Sequence, residues 1–208
     1  MSDAPFVRLA DLTSAVSISR GFLTAKSAET GEVPILSVAM IRNQSPAKNF
    51  TDGATIDDLG MSRAIPGDIL VAIEGGTVGE TLVVRDEEEV FVPSQQVATL
   101  RVVDGSVLDT WYLGAWMTTD ATRDQVRRLA RGAAIQRVPI KDLGNLTVPL
   151  PPLAEQRSIG MRFRAFEESI AGHRAVTACL EELRDVDLAA TFAALEPPDP
   201  DEGDPSGS

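Results

Sequence analysis

The sequence predicts an α+β protein: a mixed domain of short strands and helices over residues 1–150, one long coiled-coil-like helix over 151–196, and a disordered acidic tail over 197–208. Three observations predict it. Short β-prone runs separated by turn residues fill the first hundred positions. Helical periodicity begins only after them. A proline-free stretch at 153–195 then lies between two Pro-Pro pairs.

The expected strands are Val33–Ile41, Asp68–Ile73, Thr81–Val84, Val97–Val103 and Leu146–Val148. Ile65-Pro66-Gly67-Asp68 is a turn that launches the second. Gly75-Gly76-Thr77-Val78-Gly79 ends that strand as a tight hairpin or exposed loop. It matches neither the dinucleotide-binding nor the P-loop pattern, and no lysine follows to reach a phosphate. Leu108–Met117, which holds both tryptophans, is an expected helix. Thr122–Arg131 is another, with Asp120 as its cap and Gly132 as its stop.

In the long helix, apolar residues recur at Ile159, Phe163, Phe166 and Ile170, then at Leu180 and Leu183. The first four are spaced alternately by four and three, a coiled-coil-like stripe. A helix over 153–195 would extend roughly 64 Å, longer than its own domain is wide, so part of the stripe needs an outside partner. The alternative is a break near Gly172 that folds the helix back. The tail has four prolines, four acids and nothing to bury, hence the expected disorder.

The net charge of −12 argues against a nucleic-acid ligand when taken as an average. Its distribution is uneven. Residues 1–122 carry net −9, residues 123–164 net +6 and residues 165–195 net −4. The single cysteine, Cys179, excludes an internal disulfide or a CxxC metal site. The single histidine, His173, excludes HExxH. None of Lys26, Lys48 and Lys141 has a carboxylate two residues before it, so the metal-nuclease pattern is absent. The run Asp86-Glu87-Glu88-Glu89 reads as a solvated loop. No catalytic residue, metal site or cofactor is expected. No apolar run spans a bilayer and no signal peptide is visible, which predicts a cytoplasmic protein without a membrane contact.

Binding chemistry is easier to find. On the second helix, Arg123, Arg127, Arg128 and Arg131 share one arc while Val126, Leu129 and Ala130 lie opposite. With Arg137 and Lys141 they form a basic set suited to DNA phosphates. Arg42, Asn43, Gln44 and Lys48 make a second polar cluster, and Gln95 and Gln96 with Ser94 a third. Arg, Asn and Gln are the side chains that read base edges bidentately. Both readings compete with ordinary solvated surface.

The run Pro149-Leu150-Pro151-Pro152-Leu153-Ala154-Glu155-Gln156-Arg157 entering a long helix resembles the end of a target recognition domain in the specificity (S) subunits of type I restriction–modification systems. Pro66-Gly67-Asp68-Ile69-Leu70 followed by Gly75–Gly79 is similar to the middle of that domain, as are Ser94-Gln95-Gln96 before a strand and Tyr112-Leu113 in the next helix. The resemblance implies a non-catalytic subunit that reads a bipartite double-stranded DNA site. It implies docking of DNA methyltransferase (M) subunits and, in full complexes, motor–nuclease (R) subunits. The family usually has two recognition domains and two antiparallel helices. One of each here implies a half-sized S subunit, whose simplest closed form is a homodimer through Ile159, Phe163, Phe166, Ile170, Leu180 and Leu183; otherwise the helix pairs with a different S-like chain or only with the methyltransferase. The alternative is an acidic adaptor or decoy of a defence complex that has lost DNA reading. A hydrolase using His173 is a third reading.

Overall fold

The computed structural model describes residues 4–21, 27–28, 34–43, 49–51, 63–85 and 92–193. The chain divides into two compact units, Met1–Arg164 and Ala165–Ser208. The first runs past residue 150 and takes in the first three turns of the long helix.

In chain order the strands are β1 (Phe6–Arg8), β2 (Val16–Arg20), β3 (Ser27–Ala28), β4 (Pro34–Leu36), β5 (Asn49–Thr51), β6 (Ile69–Ala72), β7 (Thr81–Val83), β8 (Val92–Pro93), β9 (Val97–Val102) and β10 (Thr147–Pro149). The α-helices are α1 (Val38–Asn43), α2 (Thr110–Met117), α3 (Asp120–Leu129) and α4 (Leu153–Ala193). Short 3-10 turns occupy Leu9–Leu12, Gly75–Thr77 and Ile140–Asn145.

The central sheet is antiparallel, in the order β2-β9-β6-β7. A second sheet, β3-β5-β4-β8, is mixed, with β4 and β8 parallel. A third joins β1 to β10. Strand β6 explains why its sequence is an unbroken apolar run. Ile69 and Val71, with Ile73 just beyond, face one core with Leu100, Leu113 and Val148. Leu70 and Ala72 face another with Leu36, Met40 and Val97. A strand buried on both faces cannot alternate polar with apolar residues. Asp68, fully buried at its start, is held by Arg101, whose Nε and Nη2 donate at 2.7 and 2.6 Å.

Two sequence expectations need correction. Only the first part of Val33–Ile41 is strand, because the chain turns at Ser37 into α1, which places Met40 and Ile41 in the second core. The cap of α3 is Thr119, not Asp120: its side chain accepts the Thr122 N–H at 3.3 Å, and the helix ends at Leu129. Strands β1 and β2, which pair with β10 and β9, were not expected at all. Helix α4 runs unbroken through Gly172, so the fold-back alternative does not occur.

Ile159 and Phe163, expected in an intermolecular stripe, instead pack against the core of the first unit. The Phe163 ring lies 6.3 Å from that of Trp111, and the Arg164 guanidinium sits 5.2 Å over the same indole. Gln156 and Gly160 are buried on this face. In the second unit, Phe166, Ile170, Val176, Leu180, Leu183, Leu188 and Phe192 are all exposed. The acidic tail lies outside the described residues. No helix among the described residues is long and apolar enough to cross a membrane.

Candidate nucleic-acid interface

The site grows from the far end of β6. Past Ala72 the strand stops pairing regularly and its backbone engages two other segments. Ile73 N–H donates to the Gln96 carbonyl at 2.9 Å, which brings in the turn between β8 and β9. Val138 N–H donates to the Ile73 carbonyl at 2.8 Å, and Gly75 N–H to the Gln136 carbonyl at 2.9 Å. The segment after α3 is thereby laid beside the strand. Arg137 bridges both Glu74 and Arg131 through backbone pairing. Three stretches far apart in sequence meet here.

Glu74 is the acid at their centre. Its side chain is buried, yet Arg137 donates to its Oε2 from Nε at 2.9 Å and lies 2.8 Å away through Nη2. The hydrogen bond first, and then the negative charge, raise the Arg137 guanidinium above its ordinary value. Arg20, the last residue of β2, lies 3.9 Å from the same oxygen and donates Nε to the Gln95 carbonyl at 2.8 Å. Arg131 donates to Asp142 at 2.7 Å and remains largely exposed. Both acids lie inside and the arginines outside. The end of the sheet therefore presents guanidinium groups to solvent, which suits phosphate oxygens.

Helix α3 flanks this end. Val126 is buried and Leu129 and Ala130 are half-buried, as the spacing required. The arginine face is less free than expected. Arg123 is partly buried and pairs with Asp120 at 3.1 Å. Arg127 donates to the Val78 carbonyl at 3.3 Å and pairs with Asp124 at 3.4 Å. Arg127 therefore holds the β6–β7 hairpin as well as facing water. Gly79, at φ +88°, lets that hairpin approach: a Cβ there would stand 2.9 Å from the Arg123 carbonyl. Arg128 and Lys141 are exposed, and neither pairs with a carboxylate among the described residues.

The structure thus brings Arg131, Arg137, Gln95 and Gln96 to one place, with Arg123, Arg127 and Arg128 on the adjoining helix. The backbones of Arg42 and Asn43 end α1, and Gln44 and Lys48 lie outside the described residues, as does the 86–89 acid run. Glu74 and Arg20 were missed by sequence reasoning. Neither belongs to a motif, and their partners are distant in sequence. His173 is exposed on α4, its Nδ1 2.8 Å from the Ser169 carbonyl. Among the described residues no three potential ligands cluster to hold a metal ion.

The fold is similar to that of the type I restriction–modification S subunit from M. genitalium, with a TM-score of 0.66 at 18% identity over 89% of this chain and 45% of that one. It is also similar to the HsdS subunit from Thermoanaerobacter tengcongensis, with a TM-score of 0.55 at 23% identity over 81% and 38%. The chain spans less than half the length of these S subunits. No curated protein sequence matches it. Residues 1–182 match the type I restriction modification DNA specificity domain. With most of its length inside that match, the chain belongs to the type I restriction modification DNA specificity domain family.

Proposed function

We propose that this chain reads DNA sequence for a type I restriction–modification system and directs DNA methyltransferase subunits, with motor–nuclease subunits in full complexes, to a bipartite site. It performs no chemistry itself and works in the cytoplasm. The observation that carries this reading is the convergence, in a chain of this family, of Gln95, Gln96, Arg131 and Arg137 at one end of the central sheet. Arginines there supply sequence-independent attraction to the backbone, and glutamines the base-edge contacts. The net charge of −12 limits unaided affinity, so the methyltransferase subunit contributes to binding. The exposed apolar residues of α4 beyond Ala165 pair two copies, and a twofold dimer reads two inverted half-sites.

The test is a mobility shift at moderate salt with the cognate methyltransferase subunit and a library of duplexes. Enrichment of one bipartite word supports the reading. Binding of the methyltransferase with no sequence preference on DNA would overturn it in favour of an acidic adaptor.

A further inference from the structure

We propose that Arg20 and Arg137 form a two-arginine clamp on a single DNA backbone phosphate beside the Gln95–Gln96 turn, with Glu74 as the residue that positions both. The proposal rests on the DNA-reading function above and adds to it Arg20 and Glu74, which no sequence pattern identifies. Both Nη2 atoms reach one carboxylate oxygen, Glu74 Oε2, at 3.9 Å for Arg20 and 2.8 Å for Arg137, so the two guanidinium groups are near neighbours. Like charges brought together without a counter-charge repel. Here one buried carboxylate faces two cations, and the local excess is one positive charge.

The arrangement is also directional. The Glu74 side chain is 11% exposed, against 40% for Arg20 and 54% for Arg137. The acid therefore hydrogen-bonds the inner edge of the Arg137 fork, stands at ion-pair distance from Arg20, and leaves outer N–H groups for a ligand. Arg20 is further fixed by its Nε donation to the Gln95 carbonyl at 2.8 Å. Its orientation is thus tied to the turn that carries the base-reading glutamines. A phosphate held here would fix the register of Gln95 and Gln96 against the base edges, as backbone contacts do. Side chains pre-set in this way lose less rotamer freedom on binding than free surface arginines.

The experiment is fluorescence anisotropy of the full chain with a labelled mixed-sequence duplex over a salt series, since a phosphate contact needs no specific word. Arg20→Ala and Arg137→Ala should each weaken binding about tenfold. The double variant should lose little more than either single one. The salt slope should fall by about one in the double variant, not two, because one phosphate is lost. Glu74→Gln separates positioning from charge. It makes the chain less negative, so a role for charge alone predicts tighter binding, whereas positioning predicts binding weaker by about tenfold. Arg20 and Arg137 are exposed enough for their alanine variants to fold, and the thermal midpoint checks this even if Glu74→Gln does not fold. Wild-type binding with unchanged affinity and slope in the double variant would overturn the clamp and leave the DNA-reading function standing. Additive losses with a slope change of two would also overturn it, showing two independent phosphates. A wild-type chain with no salt-dependent binding, alone or with the methyltransferase subunit, would overturn both.

Discussion

Gln156 Oε1 accepts the backbone N–H of Asp109 at 2.9 Å. The same amide donates Nε2 to the carbonyls of Pro151 at 2.9 Å and Val107 at 3.3 Å. One side chain, 1% exposed, thus ties the first turns of α4 to the start of α2, where Asp109 caps the helix. It sits inside the Pro-Pro-Leu-Ala-Glu-Gln-Arg run that carried the family resemblance, and its role there is structural. Gln156→Ala should leave several buried polar groups unpaired and lower the unfolding free energy by about 2–4 kcal/mol. Urea denaturation with an unchanged m-value checks this. A loss below about 1 kcal/mol would mean that water replaces the amide.

Tyr112 is the only tyrosine in the chain, so its ionisation can be followed alone at 295 nm. Its hydroxyl donates to the Pro149 carbonyl at 2.6 Å. Burial, and then the charge of Glu155, raise its pKa above the ordinary phenol value. A raised folded-state value means that the folded chain holds the proton more tightly. The associated stability is complete below the unfolded value of about 10 and is lost as pH rises through the folded value. The phenolate band should therefore appear at higher pH than in free tyrosine. Tyr112→Phe should cost about 1 kcal/mol at neutral pH and remove that alkaline transition.

Arg127, Arg128 and Arg131 differ in what their loss should do. Replacing all three with alanine should weaken binding to every duplex alike and lower the salt slope by about one for each phosphate contact removed. Arg128→Ala should do so without loss of stability. Arg127→Ala should also loosen the β6–β7 hairpin, whose Val78 carbonyl it holds. An unchanged salt slope in the triple variant would remove these residues from the interface.

At Gln95 and Gln96 the structure uses the backbone, through the carbonyls that meet Arg20 and Ile73. Their side chains can therefore be exchanged with those contacts intact. Swapping either should change preference at one or two base-pair positions, by about 1–3 kcal/mol per bidentate pair lost. An even drop in affinity across all sequences would make them positioning residues.

The exposed face of α4 should hold two chains together. Light scattering at tens of micromolar should give twice the 22.2 kDa chain mass. Leu180→Glu with Leu183→Glu, exposed at 61% and 59%, should give a monomer with unaltered thermal stability of the first unit. A wild-type monomer under those conditions would remove the dimer and the inverted half-sites with it.

Much of this was legible because the governing signals are local. Ile69–Ala72, Val97–Val102 and the long helix lie within the stretches their periodicity marked. Other features depend on distant partners. Val38 and Ile41 are β-branched, yet they turn into α1 because that places Ile41 in a core; context overrides propensity. The stripe of α4 looked uniform, but Ile159 and Phe163 meet Trp111 and its neighbours, which periodicity cannot reveal. Val16-Ser17-Ile18 does alternate as a strand should, but the run is short and its partner β9 lies about eighty residues on. Glu74 looked like one acid among many, because its two partners, Arg20 and Arg137, come from β2 and the 131–137 segment.

The pairing of β1 with β10, Phe6 opposite Pro149 and Arg8 opposite Thr147, sets a timetable for synthesis. The strand made first waits for the strand made last before the recognition unit can close. Strand β2 waits almost as long for β9. Such separation in sequence slows folding. On the ribosome, the Ile69–Val71 face of β6 and the Leu9–Leu12 turn stay partly uncovered until about residue 150 has emerged, an interval open to aggregation or chaperone capture. The helix that follows is made only once every strand of the unit is available. Synthesis of α4 then overlaps with closure of the sheet, and its exposed apolar residues emerge after the strands of that unit.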